Sequence, residues 1–337
     1  MKSKRFLACC LAAAVGISLF AGCGSDTGSS AGSASASGKQ VVIYSNADDE
    51  AITAMKNALD ANGFKDQYII QGFGTSELGG KLLAEGKNLE ADMVTMSTFY
   101  LQSAQESNKM FLPLDFAVKT IAPVPNYCAP ITSQEGAIII NTDLLQNEGL
   151  PRPTCLKDLA DPIYAGHLAV TDIQSSSTAW LLIQALVDAY GEEGGREVLA
   201  GIYKNAGDHI EKSGSGPLKL CRAGEVAIGF GLRHQAVADK AKGMPIDFVD
   251  PAEGNFSLTE SVAVLDKGGK TNKTAMKMAQ CIIENGRKEL QQTYPNPLYE
   301  GESSDAANKS AYPKTFREAL TFELFKKHQD LSESAKP

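Results

Sequence analysis

The chain has 337 residues and a formal net charge of −8, with 43% hydrophobic and 21% charged residues. This composition excludes a collagen, a coiled coil and a disordered tail. The acidic balance lacks the basic face that a polyphosphate backbone requires, so we expect no nucleic-acid partner. The length predicts roughly two domains.

Residues 1–22 have the pattern of a signal peptide. Three basic residues among the first five precede 17 uncharged, mostly apolar residues, which is fewer than the about 20 that a stable membrane span needs. Residues 19–23 resemble the lipobox of bacterial lipoproteins, with Phe20 where Leu is more usual. This resemblance predicts lipid attachment at Cys23; the alternative is an ordinary signal peptide followed by an incidental cysteine.

The segment 24–38 predicts a flexible tether, because 13 of its 15 residues are Ser, Gly or Ala and such a stretch cannot bury a core. Its root-mean-square reach is roughly 20 Å. Together with a lipid at Cys23, residues 23–38 would hold an exported body at the outer face of the bacterial cell membrane.

Four cysteines remain beyond the leader and Cys23, and they are too widely spaced for a CxxC motif or a zinc ribbon. Export permits disulfides among them in three connectivities, and buried free thiols are the alternative. The four are Cys128, Cys155, Cys221 and Cys281.

From residue 39 onward, short apolar runs alternate with helical patterns. Helices are predicted from Asp48 onward and over 77–85, where apolar residues recur at helical spacing. The alternation predicts an α/β fold with mainly parallel strands in two lobes. The predicted strands are 41–44, 68–70, 93–96, 137–140, 168–171, 226–230, 246–249 and 262–265.

Five turns that follow strands or precede helices are rich in hydroxyl groups. Ligands of open α/β sheets bind at the carboxyl ends of strands, where helix N-termini supply free N–H groups for anions. Each turn alone is equally explained as a helix cap, but five in one chain predict a shared anion cleft. The candidates are Ser45, Thr75, Ser76, Thr98, Ser175, Ser176, Ser177 and Ser213.

The sequence does not match the common catalytic motifs. Residues 212–216 lack the first glycine of a GxSxG elbow, residues 74–81 lack P-loop spacing, and the four histidines show no HExxH or paired ligand spacing. We therefore predict a protein that is not an enzyme and has neither a metal nor a cofactor. An exported hydrolase, with Ser176 as nucleophile and His234 as base, remains the alternative.

Eight segments, in order, resemble the bacterial extracellular solute-binding proteins of ABC transporters, in the branch that holds ferric-iron, thiamine, phosphonate and sugar-phosphate binders. The resemblance covers residues 39–295. The matching segments are 42–45, 74–78, 91–94, 139–144, 156–159, 161–168, 224–229 and 251–254.

The resemblance implies a two-lobed periplasmic-binding-protein fold of the class II type, with the ligand cleft between the lobes. Residues 39–130 and about 256–295 are expected to form lobe 1, and 131–255 lobe 2. The remaining 296–337 are expected to be helical and to pack on lobe 2. The implied partners are a small solute and ABC permease subunits, and we expect a monomer.

The resemblance also limits the ligand. The ferric branch places two adjacent tyrosines after the strand that corresponds to 226–230, where this chain has Arg233 and no tyrosine. Arginine suits phosphate or phosphonate oxygens. Asp48 and Glu77 are candidate partners for an ammonium group, so a zwitterion such as 2-aminoethylphosphonate is the leading ligand. Ferric iron, thiamine, sugar phosphates and other small organic anions remain alternatives.

Overall fold

The computed structural model describes residues 39–337, so the predicted leader, Cys23 and tether lie outside the described residues. Its first half alternates strands and helices, as the apolar runs predicted. The elements are β1 (Val41–Ser45), α1 (Asp49–Leu59), β2 (Tyr68–Gly72), α2 (Thr75–Glu85), β3 (Met93–Ser97), α3 (Thr98–Asn108), β4 (Cys128–Asn141) and α4 (Thr142–Asn147).

The second half continues this alternation and ends in a helix. The elements are β5 (Leu168–Thr171), α5 (Thr178–Ala206), β6 (Ile210–Glu211), α6 (Gly216–Ala223), β7 (Ile228–Leu232), α7 (Arg233–Ala241), β8 (Ile246–Val249), β9 (Asn255–Val264), α8 (Lys273–Cys281), α9 (Arg287–Thr293), β10 (Pro313–Lys314) and α10 (Phe322–Ala335).

The strands are hydrogen-bonded in the order β2-β1-β3-β9-β4-β7-β5-β6, with β8 added to β4 and β10 to β9. At one end, β1 pairs in parallel with β2 and β3, and at the other, β5 pairs in parallel with β6 and β7. The two central strands, β9 and β4, run antiparallel to each other and to β3, β7 and β8, whereas β10 pairs in parallel with β9. The expectation of mainly parallel strands therefore holds for the outer strands and for β10.

Strand β4 passes from one group of strands to the other. Its residues 128–135 pair with β9, and its residues 136–141 pair with β7 and β8. The register shifts between Pro130 and Thr132. The predicted lobe boundaries, at 130/131 and 255/256, fall inside β4 and at the start of β9.

Apolar cores lie on the faces of the strands. One core packs β1, β3 and β9 against α1 and α8, and includes Ile43, Met55 and Met278. A larger core runs from α2 and α3 to β5 and α5, and includes Phe99 and Trp180. These cores fix the positions of the turns that connect strands to helices in both groups of strands.

The C-terminal segment is less helical than predicted. Helix occupies Phe322–Ala335, whereas 296–321 is mostly irregular, with one 3₁₀ turn and the short strand β10. Phe325 of α10 is fully buried, and its ring lies 4.9 Å from that of Trp180 in α5. Helix α10 therefore packs on α5.

The four cysteines of the body are free thiols, three of them buried. Of the two alternatives that the sequence leaves open, disulfides and free thiols, the structure has free thiols. Among residues 39–337, every helix is too short or too polar to cross a lipid bilayer.

Candidate functional site

A cavity of about 290 Å³ lies where turns from both groups of strands meet. Its walls are polar, and eight of its fifteen residues carry a hydroxyl or a carboxylate. The lining residues are Asn46, Ala47, Asp48, Asp49, Glu50, Phe73, Gly74, Thr75, Ser175, Ser176, Lys212, Ser213, Gly214, Ser215 and Lys219.

Four helices begin at or next to this cavity. The residues that cap α1, α2 and α6 are Asp48, Gly74 and Ser215, and all three line the cavity. Ser176 lies two residues before the start of α5. Helix N-termini present N–H groups without helical partners and the positive end of the helix dipole, so their convergence favours an anionic group.

The two sides of the cavity touch at its edge. The N–H of Thr75, at the start of α2, donates to the carbonyl of Ser175 at 3.3 Å. The Asn46 side-chain amide donates to Thr75 Oγ1 at 2.9 Å. Ser97 and Ser177, which precede α3 and α5, have their Oγ atoms 3.4 Å apart. The cavity is therefore enclosed between two sets of turns that are in direct contact.

Acidic and basic residues reach the cavity from different segments of the chain. Asp48, Asp49 and Glu50 come from the turn after β1, whereas Lys212 and Lys219 come from the region around the start of α6. Burial, and after it the charges of Glu50 and Asp49, raise the pKa of Asp48 to about 6, while Lys219 acts to lower it. The cavity thus offers an acidic wall and a basic wall to one small molecule.

A profile of the bacterial extracellular solute-binding proteins matches residues 96–315, more than half of the chain. The chain belongs to this family. It is accordingly the solute-binding component of an ABC importer and not an enzyme, as predicted. Family membership also places the protein among those that work outside the cytoplasm.

Two curated relatives are similar in sequence. An uncharacterised protein of Haemophilus influenzae is 28% identical over 269 residues, which cover 77% of each chain. The Fe(3+)-binding periplasmic protein of Serratia marcescens is 28% identical over 222 residues, 63% of this chain and 62% of that one.

Solved structures confirm the predicted two-lobed periplasmic-binding-protein fold. Iron-bound HitA from Pseudomonas aeruginosa has a TM-score of 0.71 at 19% identity, covering 88% of this chain and 99% of that one. AfuA from Actinobacillus pleuropneumoniae, with fructose-6-phosphate bound, has a TM-score of 0.67 at 20% identity, covering 89% and 94%. A periplasmic thiamin binding protein has a TM-score of 0.71 at 17% identity, covering 88% and 94%. These neighbours share a fold and differ in ligand.

The structure of this solute-binding protein brings together five of the predicted ligand-binding residues. Four supply hydroxyl groups and one a carboxylate, and they come from four separate turns. They are Asp48, Thr75, Ser175, Ser176 and Ser213.

Other predicted site residues lie outside the cavity lining. Ser45 is fully buried and accepts a hydrogen bond from Thr95 Oγ1 at 2.8 Å. Thr98 donates to the Thr259 carbonyl at 2.9 Å, which ties α3 to β9. Ser177 contacts Ser97, as described above. Ser76 and Glu77 are in the first turn of α2, and Glu77 is exposed.

Arg233 is not at the cavity. Its guanidinium donates to both carboxylate oxygens of Asp250, at 2.7 and 3.1 Å, and to the carbonyls of Ala307 and Lys309. It also stacks on the Phe248 ring at 4.6 Å. The prediction that Arg233 supplies the positive charge of the cleft is therefore at odds with the structure, because its donors are already used in a buried ion pair.

Two lysines of the cavity were not among the residues predicted from the sequence. Lys212 and Lys219 lie on either side of the predicted turn 213–216. A lysine directly before that turn, and another one helical turn after it, are signals that could have identified them. Asn46 was not predicted either, although it directly follows Ser45, which was.

Proposed function

We propose that this solute-binding protein captures a small zwitterion with a phosphonate and an ammonium group, best represented by 2-aminoethylphosphonate, for delivery to an ABC permease. The observation that carries this proposal is the arrangement of charge in the cavity, with carboxylates on one wall and lysines with hydroxyls on the other. A volume of about 290 Å³ suits a small solute, since cavities for drug-sized ligands start at roughly 300 Å³.

The anionic end fits the wall formed by the starts of α5 and α6. Ser175, Ser176 and Ser213 offer hydroxyl donors there, and Lys212 and Lys219 offer charge. Hydrogen bonds to a charged group contribute about 1.5–3 kcal/mol each. Since both helix dipoles point their positive ends at this wall, a doubly charged phosphonate is favoured over a neutral solute.

The cationic end fits the opposite wall. Asp48 lines the cavity at the start of α1, followed by Asp49 and Glu50. Burial and the neighbouring acids raise the pKa of Asp48 to about 6, and an ammonium group next to it would relieve this repulsion. An anion without a positive end would leave the acidic wall uncompensated.

Ferric iron, thiamine and sugar phosphates are the alternatives. Hard oxygen donors such as tyrosinate suit ferric iron, but the start of α7 carries Arg233 and His234 in their place. Within residues 39–337, no group of three or more His, Cys, Asp or Glu side chains could hold a metal ion. The hydrolase alternative loses support because His234 is outside the cavity that contains Ser176.

Calorimetry with the purified protein tests the ligand. We expect 2-aminoethylphosphonate to bind at least tenfold more tightly than ethylphosphonate, which lacks the ammonium group. The other ligands to be titrated are inorganic phosphate, fructose 6-phosphate, thiamine and ferric citrate. Tighter binding of any of these four, or a charge-transfer band with ferric citrate, would reject the assignment.

We also propose that the protein is a monomer held at the cell surface by a lipid at Cys23, with residues 24–38 as the tether. Support comes from the sequence of residues 19–38 and from membership of a family that works outside the cytoplasm.

A further inference from the structure

A second carboxyl group, that of Glu260, lies at the edge of the sheet where β1 ends before Asp48, because β1 pairs with β3 and Ser97 at the end of β3 is the register partner of Glu260. Glu260 is on β9, where its register partners are Ser97 of β3 and Thr132 of β4, and it is 5% exposed. Thr132 Oγ1 lies 3.4 Å from its Oε2. This residue lies on one of the two central strands, close to the wall that we assign to the ammonium group.

The charge of Asp48 acts on Glu260. The pKa of Glu260 is raised to about 7, first by burial and then by the charge of Asp48, while hydrogen bonds with Thr132 and Asn46 lower it. The pKa of Asp48 is raised to about 6, first by burial. Two buried carboxylates at close range are costly to ionise together. The Asp48–Glu260 pair therefore retains a proton near neutral pH.

Several buried polar atoms in the described part of the chain lack hydrogen-bond partners. Among residues 39–337, no hydrogen-bond partner is present for Asn46 Oδ1, for the Tyr294 hydroxyl or for either ring nitrogen of His234. Tyr294 is fully buried, His234 is 7% exposed, and their rings lie 4.7 Å apart. Buried polar groups without partners are few in native proteins. Of these residues, Asn46 lines the cavity, so a bound solute could supply the partner that Asn46 Oδ1 lacks.

The charges that face the pair are mostly negative. Asp49 and Glu50 of α1 act on Asp48, and Lys219 of α6 is the positive group that acts on it. Burial lowers the pKa of His234 to about 3, so its imidazole is neutral. Nearby Arg233 is paired with Asp250. Among the described residues, no cation offsets the charge of Glu260, which leaves the pair in need of a positive charge.

We propose that Glu260 and Asp48 hold one proton in the empty site and that the ammonium group of the solute displaces it, so that capture of an amine releases a proton to the solvent. This inference rests on the proposed function and deepens it. Asp48 contacts the ammonium group, and Glu260 acts through Asp48 as a positioning residue. No covalent bond changes: a positive charge enters the pair and a proton leaves it.

The sign of the pH dependence follows. Below the pKa values of the pair, the proton competes with the ammonium group. Affinity for an amine-bearing solute therefore rises with pH between about 6 and 7. A solute without an amine gains nothing from this deprotonation.

Proton release is measured by calorimetry on the full chain with 2-aminoethylphosphonate at about pH 6.5, in two buffers of different ionisation enthalpy. Wild type is compared with Glu260→Gln, and the control is Glu106→Gln, an exposed acid on α3. The solute's own titration is identical in all three. We expect wild type and Glu106→Gln to release about half a proton more per solute than Glu260→Gln, whose affinity should also depend less steeply on pH.

Equal proton release by wild type and Glu260→Gln would overturn the coupling while leaving the ligand assignment intact. Failure of 2-aminoethylphosphonate to bind wild type would overturn both. If Glu260→Gln does not fold, Asp48→Asn, at the cavity surface, replaces it and must show the same loss of proton release.

A ligand-free measurement examines the proton directly. The folded-state pKa of Glu260 is about 7, above its ordinary value of 4.5, so between these pH values the folded protein binds a proton that the unfolded chain does not. The free energy of unfolding of wild type therefore falls as pH rises from 4.5 to about 7. We expect the urea midpoint of Glu260→Gln, relative to wild type, to be higher at about pH 8 than at about pH 5. A difference that does not change with pH means that the pair holds no proton, which would overturn the inference.

Discussion

The indole Nε1 of Trp180 donates a hydrogen bond of 2.6 Å to Nδ1 of His328, and both residues are buried. Trp180 is in the first turn of α5, close to the cavity, and His328 is in the middle of α10. A buried indole N–H needs an acceptor, and only a neutral imidazole has a free lone pair at Nδ1. The attachment of α10 to the body therefore depends on an uncharged His328.

This bond predicts sensitivity to acid. Burial, and then the charge of Lys327, lowers the pKa of His328 to about 4 from its ordinary 6.5. In this interval the unfolded chain binds the proton and the folded protein does not, so stability is lost as pH falls from about 6.5 towards 4. His328→Leu should lose this dependence and cost about 1–3 kcal/mol at neutral pH, because the indole N–H is left unpaired.

Urea unfolding at the two ends of this pH interval, monitored by the fluorescence of Trp180, checks this prediction. Ser334→Ala, an exposed position on the same helix, is the control and should behave as wild type does. An unchanged acid response in His328→Leu would contradict the prediction.

Two adjacent glycines of α2 predict opposite effects of one substitution. A methyl group on Gly79 would overlap the ring of Tyr100, whereas nothing lies within 4 Å of one on Gly80. Gly79→Ala should destabilise the protein by about 1–3 kcal/mol through overpacking. Gly80→Ala should stabilise it by about 0.5–1 kcal/mol, because alanine is the better helix former. Thermal unfolding of the two variants measures both, and equal effects would contradict the packing of α2 on α3.

The Arg233–Asp250 ion pair predicts a loss of stability without a loss of binding. Arg233→Ala leaves a buried carboxylate without its partner and should cost about 3–5 kcal/mol. Adding Asp250→Ala should recover part of this cost, because both charges are then gone. Calorimetry at a temperature where both variants are folded should give ligand affinities within a few-fold of wild type. A large loss of affinity would restore Arg233 as a ligand-binding residue.

Cavity variants separate the two ends of the ligand. Ser176→Ala should weaken 2-aminoethylphosphonate by about tenfold, the equivalent of one hydrogen bond to a charged group, and Lys212→Ala should weaken all phosphonates. Asp48→Asn should weaken 2-aminoethylphosphonate far more than ethylphosphonate. Lys277→Ala, an exposed lysine on α8, is the control. If Asp48→Asn affects both ligands equally, the acidic wall does not bind an ammonium group.

Removal of the predicted lipid site tests the anchor. Cys23→Ala should shift the protein from the membrane fraction to the soluble fraction, because the attachment point of the predicted lipid is removed. The control is Cys155→Ala, a cysteine in the body, which should fractionate as wild type does. Unaltered membrane association of Cys23→Ala would contradict lipid attachment there.

The amino-acid sequence by itself determined the order of the elements and the turns that carry hydroxyl groups. Strands β5 and β8 match their predicted bounds, because short apolar runs between turn signals are a local property. Strand β4 begins at residue 128 rather than 137, since its first half is polar in places: Thr132 and Ser133 are buried there by pairing with β9. Periodicity does not reveal a polar segment that becomes buried through a distant strand.

Only the tertiary structure decided which charges meet in the cavity. Arg233 follows a strand, as the sequence predicted, yet its side chain pairs with Asp250, and the cavity receives Lys212 and Lys219 instead. Glu260 and Asp48 are far apart in the chain and were brought together by the pairing of β9 with β3, which neighbours β1. Which side chains become partners depends on contacts between segments that are remote in the chain, and a local pattern of polarity contains no information about such contacts.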